Sequence, residues 1–441
     1  MQTRIFARAA AVLVLMGMAF CAYAEGDGVS IADKLHLSLD FSASILSVDS
    51  EGVIDSMADA GFWDDGTEFS LSYDNELWGG TASLVFGDET LRIFNGEIAD
   101  MLGQFPLSIG ELYAWIQPFG GIVKFTGGVF ENTDGIADYT DDIDNFGMGV
   151  FIAGEDGEPF SEPEDFTNTA LTSGLLTDLM FGPLTVQLLL APNYSKESAS
   201  DLASGYFSQV AGSSTSVDAG ERFFRLGGRV IIDAGVGTVA VMAKTFRWPI
   251  AIMNAAENPS PAYEGVKADF TTFGAYFDLT AVENLGVSLG YTGFLPYNDA
   301  DGVDNILWSG IDLRAAWTGI AGLSLSTHHN ISFAQGTEKD WLGLLPGDGS
   351  FLTLYNAIGA TAELNEKFSV NAEIANVFSK TDTGGDEPAV EFDSFWAAGK
   401  LITRVNDNAE FSAGLRIDIS KSGDDDMLTV FSIPIGITVS F

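Results

Sequence analysis

The sequence is poor in cysteine, histidine and basic residues. It has one cysteine, three histidines and 20 lysines and arginines against 62 acidic residues, for a formal net charge of −42. A single cysteine excludes a disulfide framework and a metal–thiolate site. Nucleic acid is excluded as a partner, because binding phosphates requires a basic face. After residue 24, no apolar run reaches the roughly 20 residues of a membrane-spanning helix. A secreted acidic protein and a membrane barrel both remain compatible with these totals.

The amino terminus has the pattern of a secretory signal peptide. Arg4 and Arg8 precede an apolar stretch at 9–20, and residues 22–24 read Ala-Tyr-Ala. A basic start, a short apolar centre and small residues before the cleavage point are typical of such segments. We therefore predict a signal peptide at 1–24, which is excluded from reasoning about the fold.

Cys21 offers a competing interpretation, in which it is the acylated first residue of a lipoprotein. The bulky Phe20 directly before it argues against this interpretation. Cleavage after Ala24 would instead remove Cys21 with the signal peptide. The exported chain, 25–441, would then have no cysteine and hence no thiol nucleophile, and we expect it to form a single barrel domain.

The end of the chain alternates strictly between apolar and small or polar residues. The apolar positions are Phe431, Ile433, Ile435, Ile437, Val439 and Phe441. A period of two indicates a strand with one apolar face. Such a strand, ending on an aromatic residue, is what a barrel in a lipid bilayer requires for closure, and it resembles the final strands of Gram-negative outer-membrane barrels.

Segments of the same kind recur along the chain in pairs. We predict strands at 35–45, 68–73, 78–86, 109–117, 122–130, 175–181, 184–194, 222–232, 238–248, 270–281, 287–295, 307–318, 323–333, 352–364, 368–379, 392–405, 411–420 and 431–441. Within pairs the connections are short and carry the Gly, Asn, Asp and Pro that tight turns require. Between pairs they are long and polar.

This rhythm predicts an all-β fold, a transmembrane antiparallel up-and-down barrel with short periplasmic turns and long outer loops. The favoured count is eighteen strands. An even number places both termini on the periplasmic side, and every short turn then follows an even strand. Sixteen strands is the alternative, if one amino-terminal pair is misassigned.

The alternation also predicts which face meets lipid. Residues 35–42 alternate leucine or phenylalanine with histidine, serine or aspartate, and in 411–420 the polar set includes Arg416 and Asp418. A charged side chain facing lipid at mid-membrane costs about 2–4 kcal/mol, so the charged sets must face inward. A barrel of this width encloses more space than side chains can fill, which implies a hydrated pore.

One stretch resembles a known family. Residues 111–118 (ELYAWIQP), followed by 125–130 (FTGGVF), are similar to the strand–turn–strand near the start of Gram-negative outer-membrane porins. The resemblance implies a passive channel for small hydrophilic solutes in the outer membrane, in contact with its lipid and often assembled as a homotrimer. It also implies that the third outer loop folds into the lumen and narrows it.

The third outer loop, 131–170, is the longest connection and contains twelve acidic residues with no lysine or arginine. As a constriction loop it would favour cations, as rings of acids do in channels. The acidic residues that we assign to this role are Asp138, Asp141, Asp142 and Asp144. An uncharged stretch at 146–154 could pack against the barrel wall. The alternative is a solvated outer loop that its charge keeps soluble.

The few basic residues on predicted inward faces are pore-lining candidates. They are Lys124, Arg225, Arg229, Lys244, Arg314, Lys400, Arg404 and Arg416. A basic wall opposite an acidic loop would create a transverse field that orients dipolar solutes. The alternative, favoured for Arg314 and Arg416, is neutralisation by Asp312 and Asp418 on the same strands. For the cluster of Arg225, Arg229 and Lys244, no nearby acid is visible on the same face.

Catalysis and metal binding have little support in the sequence. His328 would face inward beside Ser326, but a strand serine two positions away is usually too far for a direct hydrogen bond, so we expect no enzyme activity. Asp299, Asp301 and Asp304 alternate like oxygen ligands in an outer loop, which is a weak calcium candidate because the spacing and distal glutamate of an EF-hand are missing. No cofactor is implied.

Three classes of protein therefore compete. The porin is first, with a preference for cations. The second is an outer-membrane barrel whose long acidic loops act as an adhesin or surface-binding protein. The third is a soluble β protein such as a propeller, which would carry a recurring motif in each blade. No such motif is present in this sequence.

Overall fold

The computed structural model describes the strands and most of the short connections between them. The described residues are 35–48, 66–75, 77–86, 107–131, 150–153, 159–160, 171–191, 224–248, 268–298, 304–337, 345, 347–382, 384, 389–406, 408–423 and 427–440. The predicted signal peptide at 1–24 and the terminal Phe441 lie outside these ranges. Within them, no helix is long and apolar enough to cross a membrane.

Eighteen strands form one antiparallel sheet, and two very short strands form a separate hairpin. The large sheet contains β1 (Leu35–Val48), β2 (Gly66–Asp74), β3 (Trp78–Phe86), β4 (Leu107–Ile116), β5 (Val123–Glu131), β8 (Leu171–Phe181), β9 (Leu184–Ala191), β10 (Phe224–Asp233), β11 (Gly237–Trp248), β12 (Ala268–Leu279), β13 (Leu285–Asn298), β14 (Trp308–Ile320), β15 (Leu323–Gln335), β16 (Ser350–Asn365), β17 (Phe368–Asp382), β18 (Val390–Asn406), β19 (Ala409–Ser422) and β20 (Leu428–Ser440). The hairpin pairs β6 (Ile152–Ala153) with β7 (Pro159–Phe160).

The sheet closes into a barrel. Each strand pairs with its neighbour in chain order, β5 pairs with β8 across the connection that holds the hairpin, and β1 pairs with both β2 and β20. Closure leaves no strand edge exposed, which an open sheet in lipid could not tolerate. The prediction of eighteen strands is confirmed, and the alternative of sixteen is wrong.

Tight connections join the strands at one end of the barrel. Gly182 turns β8 into β9 with φ of 64°, and Asn284 precedes β13 with φ of 61°. Glycine adopts this left-handed region without a steric penalty, and asparagine tolerates it better than most residues. These are the residue types on which the sequence-based prediction of short turns depended.

The two faces of the barrel differ as the alternation requires. On the outer face, Leu289, Ile358 and Leu415 are 50%, 54% and 55% exposed. On the inner face, Ser288 of β13 and Glu373 of β17 are buried. Apolar side chains therefore form an outer belt, and polar side chains line the inside.

Candidate functional site

A buried hydrogen-bond network lies on the inner wall at β14 and β15. Asp312 Oδ1 accepts a hydrogen bond from Asn330 Nδ2 at 2.8 Å and lies 3.0 Å from Nε2 of His328. Ser332 Oγ donates to Asn330 Oδ1 at 2.7 Å. The antiparallel register places Asp312 directly opposite Asn330, and the period of two brings His328 and Ser332 to the same face. All four side chains are buried.

A segment of the third outer loop packs on this network. The backbone N–H of Phe151 donates to Ser332 Oγ at 2.9 Å, and the Phe151 ring lies 6.2 Å from that of Tyr355. Residues 150–153 are all at most 3% exposed, so this part of the loop is buried and does not lie on the surface. The expectation that 146–154 packs against the wall is confirmed for this described part. We call residues 150–153 the docked segment.

Aromatic side chains extend the buried wall to β18. Tyr355 stacks on Trp396 with ring centroids 6.0 Å apart, and the His328 ring meets Tyr355 edge-on at 5.0 Å. Trp396 Nε1 donates to Glu373 Oε1 at 3.1 Å. We call the inner faces of β14–β18, with Asp312, His328, Asn330, Ser332, Arg314, Tyr355, Glu373 and Trp396, the closed wall. Several of its polar groups bond to one another, and Ser332 and Tyr355 contact the docked segment.

The opposite side of the barrel is more accessible. Lys124 on β5, Asp178 on β8, Gln187 on β9 and Arg229 on β10 are consecutive partners in one cross-strand row. Arg229 Nε donates to Gln187 Oε1 at 2.6 Å. We call this row, together with Trp115 on β4, the open wall. Four of its five side chains are half-buried, and only Asp178 is buried.

The charges of the open wall are held in different ways. The Lys124 ammonium lies 4.7 Å from the centroid of the Trp115 ring, a cation–π contact. Arg229 is bonded to a neutral amide, Gln187. Asp178 Oδ1 has no hydrogen-bond partner among the described residues. The two basic groups of the open wall are therefore half-buried, whereas its one acidic group is buried.

The predicted pore-lining bases on β14, β18 and β19 have separate environments. Arg314 is 2% exposed and lies opposite His328 in register, within the closed wall. Arg416 makes 2.8 Å hydrogen bonds from Nε to both carboxylate oxygens of Asp418, so its predicted local neutralisation is confirmed. Arg404 pairs at 3.0 Å with Glu410 near the turn end of the barrel, where both are well exposed.

The remaining predicted residues are placed by register or lie outside the described part. Lys400 is half-buried and lies opposite Asn371. The backbone register puts Arg225, Arg229 and Lys244 on one face, as predicted, although only the Arg229 side chain is described. The following predicted residues lie outside the described ranges: Asp138, Asp141, Asp142, Asp144, Asp299 and Asp301.

The weak calcium candidate gains no structural support. Of its three residues only Asp304 is described, and it is exposed. In the ranges that the structure covers, no group of three or more histidine, cysteine or acidic side chains could hold a metal ion.

Two features of the site were missed by sequence reasoning. Asp178 is a single acid in the otherwise apolar and small pattern of β8, and the register brings it two strands from Arg229. The basic cluster on β10 and β11 therefore does have an acid nearby, Asp178. It was missed because it lies on β8, and alternation within β10 and β11 gives no information about that strand. The role of Ser332 as the acceptor for the docked segment was also missed, because that contact spans 181 residues.

Comparisons with known proteins return structural neighbours only. No protein-family model matches the sequence. No curated protein matches it either. Among solved structures, OccK3 (OpdO) of Pseudomonas aeruginosa is 9% identical, with a TM-score of 0.47 and coverage of 93% of this chain and 96% of that one. OmpT, an outer membrane protein of Vibrio cholerae, is 10% identical (TM-score 0.44; 92% and 97% covered). Wzi of Escherichia coli, described as a carbohydrate-binding β-barrel of capsule assembly, is 12% identical (TM-score 0.44; 91% and 84% covered).

Proposed function

We propose that the protein is an outer-membrane channel for the passive diffusion of small hydrophilic solutes. The observation that carries this proposal is the inside-out distribution of polarity in a closed barrel of eighteen strands. Side chains fill the interior of a barrel of about eight strands, whereas barrels of 16–18 strands leave an aqueous channel. The apolar outer belt suits acyl chains, and the polar lining suits water.

The lumen is asymmetric, and solutes would pass along the open wall. The docked segment covers the closed wall, so the polar groups beneath it are withdrawn from water. Lys124, Gln187 and Arg229 remain half-buried on the other side. A solute that moves past them would exchange water for charge-assisted hydrogen bonds, which is how charged pore linings select.

A preference for cations is the finer part of the proposal. The chain has 62 acidic residues against 20 basic ones, and the connection at 131–170 has twelve acids without a base. The docked segment belongs to that connection and enters the lumen. Carboxylates carried into the pore by the same connection would raise the local concentration of cations.

The location and assembly follow from the same proposal. Export through a signal peptide at 1–24 would deliver the barrel to the outer membrane of a Gram-negative-type bacterium, with lipid around the apolar belt. The short turns would then face the periplasm. We also propose that the barrel associates with copies of itself, for which homotrimers are the form that the family resemblance suggests.

Electrophysiology tests the proposal directly. The purified barrel, inserted into a planar bilayer, is expected to give stepwise ionic currents, and the reversal potential in a KCl gradient is expected to show cation preference. Substituting Asp141, Asp142 and Asp144 by asparagine should weaken that preference. The matched control replaces the three consecutive aspartates at 424–426, in another outer connection, and should leave it unchanged.

Each outcome has a definite meaning. A folded barrel that inserts but carries no current would contradict the channel and favour the alternative of a surface-binding barrel. Currents with selectivity unchanged in the Asp141, Asp142 and Asp144 variant would leave the channel intact and remove these carboxylates from the pore.

A further inference from the structure

Four polar side chains interrupt the apolar outer face at β15–β17. They are Thr327, His329, Asn356 and Asn376, and we call them the polar island. His329 Nε2 lies 2.7 Å from Thr327 Oγ1, and His329 Nδ1 lies 2.8 Å from Asn356 Oδ1. Asn376 is the direct cross-strand partner of Asn356. The register therefore joins the four residues into one patch across three adjacent strands.

The island lies in the middle of the apolar belt and not at its rims. Outward side chains on both sides of it are apolar and exposed: Leu325, Ile331, Ile358 and Ile374 have exposures of 40%, 45%, 54% and 49%. His329 is the seventh of the thirteen residues of β15. Polar headgroups at the membrane surface therefore cannot reach the island, because the hydrocarbon core is about 30 Å thick.

Part of the island is satisfied internally and part of it is not. His329 lies within hydrogen-bond distance of Thr327 Oγ1 and of Asn356 Oδ1, and Thr327 Oγ1 is placed to donate to the carbonyl of Ala357. Within the part of the chain that the structure describes, no hydrogen bond is recorded for the Asn356 amide nitrogen or for the Asn376 side chain. In hydrocarbon, unsatisfied amide groups are costly, so a lipid-facing position does not account for them.

The surface beside the island permits close approach of another protein. Ala360, Ala372 and Gly399 are consecutive partners in one row across β16, β17 and β18, on the same outer face. Small residues at an intramembrane interface allow backbones to approach closely, so that dispersion contacts and hydrogen bonds can form. The row of small residues and the island are separated only by Ile358 and Ile374.

We infer that the outer face of β15–β17 is the site at which a second copy of this chain docks within the membrane. The amides of Asn356 and Asn376 each carry donors and an acceptor, so the island is chemically complementary to itself. It bears no aspartate, glutamate, lysine or arginine that would select a partner of opposite charge. Docking of two copies satisfies the amides without water. The inference rests on the proposed placement of the barrel in a membrane.

Mass measurement tests the inference. The wild-type protein, extracted in mild detergent, is expected to be oligomeric by light scattering coupled to size exclusion. The double variant Asn356→Leu with Asn376→Leu removes the amides without adding a group that lipid disfavours. Its dissociation constant should rise about tenfold, the equivalent of about 1.4 kcal/mol. The matched control is Thr177→Val, an outward polar residue on β8, which should associate like the wild type.

Cross-linking in membranes provides a second readout that does not depend on the stability of a variant. A mature chain without Cys21 allows single cysteines to be placed freely. Asn376→Cys is expected to yield linked dimers of this chain with a bis-maleimide, and Thr177→Cys is expected to yield none. Linking of Asn376→Cys to a different membrane protein alone would overturn the choice of a second copy.

The outcomes separate this inference from the channel. A monomeric wild type in both assays, or a double variant that associates as tightly as the wild type, would overturn the docking site even if currents are observed. An oligomer that depends on the island but carries no current would overturn the channel and leave the docking site standing.

Discussion

The closed and open walls of the barrel follow the same alternation but differ in what their polar groups do. On the closed wall, Asp312 and Asn330 are 0% and 2% exposed and bond to each other. On the open wall, Gln187 and Arg229 also bond to each other, yet both remain half-buried. The docked segment packs on the closed wall, where it contacts Ser332 and Tyr355.

This comparison shows that an inward polar residue in a wide barrel is not necessarily a pore-lining residue. Once a loop covers such a residue, its hydrogen-bond partners must be protein groups. Because the local dielectric constant is low, each of these hydrogen bonds is stronger and its loss costs more free energy. The closed wall is therefore the surface on which the docked segment packs. In the proposed channel, selection of solutes would fall to the open wall, where water and solute can compete for the same groups.

The largest expected effect is on the free energy of unfolding. It is measured by removing one hydrogen-bond acceptor from the closed wall and one from the open wall and comparing the two losses. Asp312→Ala deprives two buried donors, on His328 and Asn330, of their shared acceptor. Each unsatisfied buried donor costs about 1–3 kcal/mol, so we expect the free energy of unfolding to fall by about 4 kcal/mol. Gln187→Ala should cost about 1 kcal/mol, because water can replace the acceptor of the half-buried Arg229.

Urea unfolding in detergent micelles, followed by gel mobility, measures both changes. Ser379→Ala, a buried inward serine on β17, controls for the loss of any small polar group on the closed wall. Equal losses for Asp312→Ala and Gln187→Ala would show that the two walls do not differ in access to water.

Much of the barrel could be predicted from the sequence because strand formation in lipid is a local and periodic property. The alternation of residues, the turn residues and the strand length can all be read from the local sequence of each hairpin. The predicted strand at 78–86, for example, matches β3 at both ends. A closed barrel with both chain ends on the same side also requires an even number of strands. The fold therefore needed no knowledge of contacts between distant strands.

The site could be predicted only in part, because its contacts join residues far apart in the chain. Alternation placed Arg229 and His328 on the inner face, but it could not show that Asp178 lies in the same row as Arg229. It suggested that 146–154 packs on the wall without showing that Ser332 receives it. Asp418 was found as the partner of Arg416 because that pair is two residues apart on one strand.

A second prediction concerns the aromatic residues of the two walls. Phe151→Ala removes a ring that is 3% exposed and contacts Tyr355, so the docked segment should lose about 3 kcal/mol of packing free energy. Undocking would widen the lumen, and we expect a higher single-channel conductance with more open-channel noise. Trp115→Ala, on the open wall, should leave both unchanged in KCl. A Phe151→Ala channel with wild-type conductance and noise would show that the docked segment does not restrict the pore.

The smallest expected effect concerns charge. One unit charge about 8 Å from an ion in water contributes about 0.5 kcal/mol, or about twofold in local ion concentration. Arg229→Gln should therefore raise the ratio of cation to anion permeability about fourfold, because loss of this half-buried positive charge raises the local cation concentration about twofold and lowers that of the anion about twofold. Glu373→Gln changes the charge by the same amount on the closed wall and keeps an acceptor for Trp396, yet it should leave the ratio almost unchanged. Reversal potentials in a KCl gradient measure both variants, and raising the salt on both sides should reduce the Arg229→Gln effect by screening. If Glu373→Gln shifts selectivity as much as Arg229→Gln does, ions pass along both walls and the docked segment does not divide the lumen.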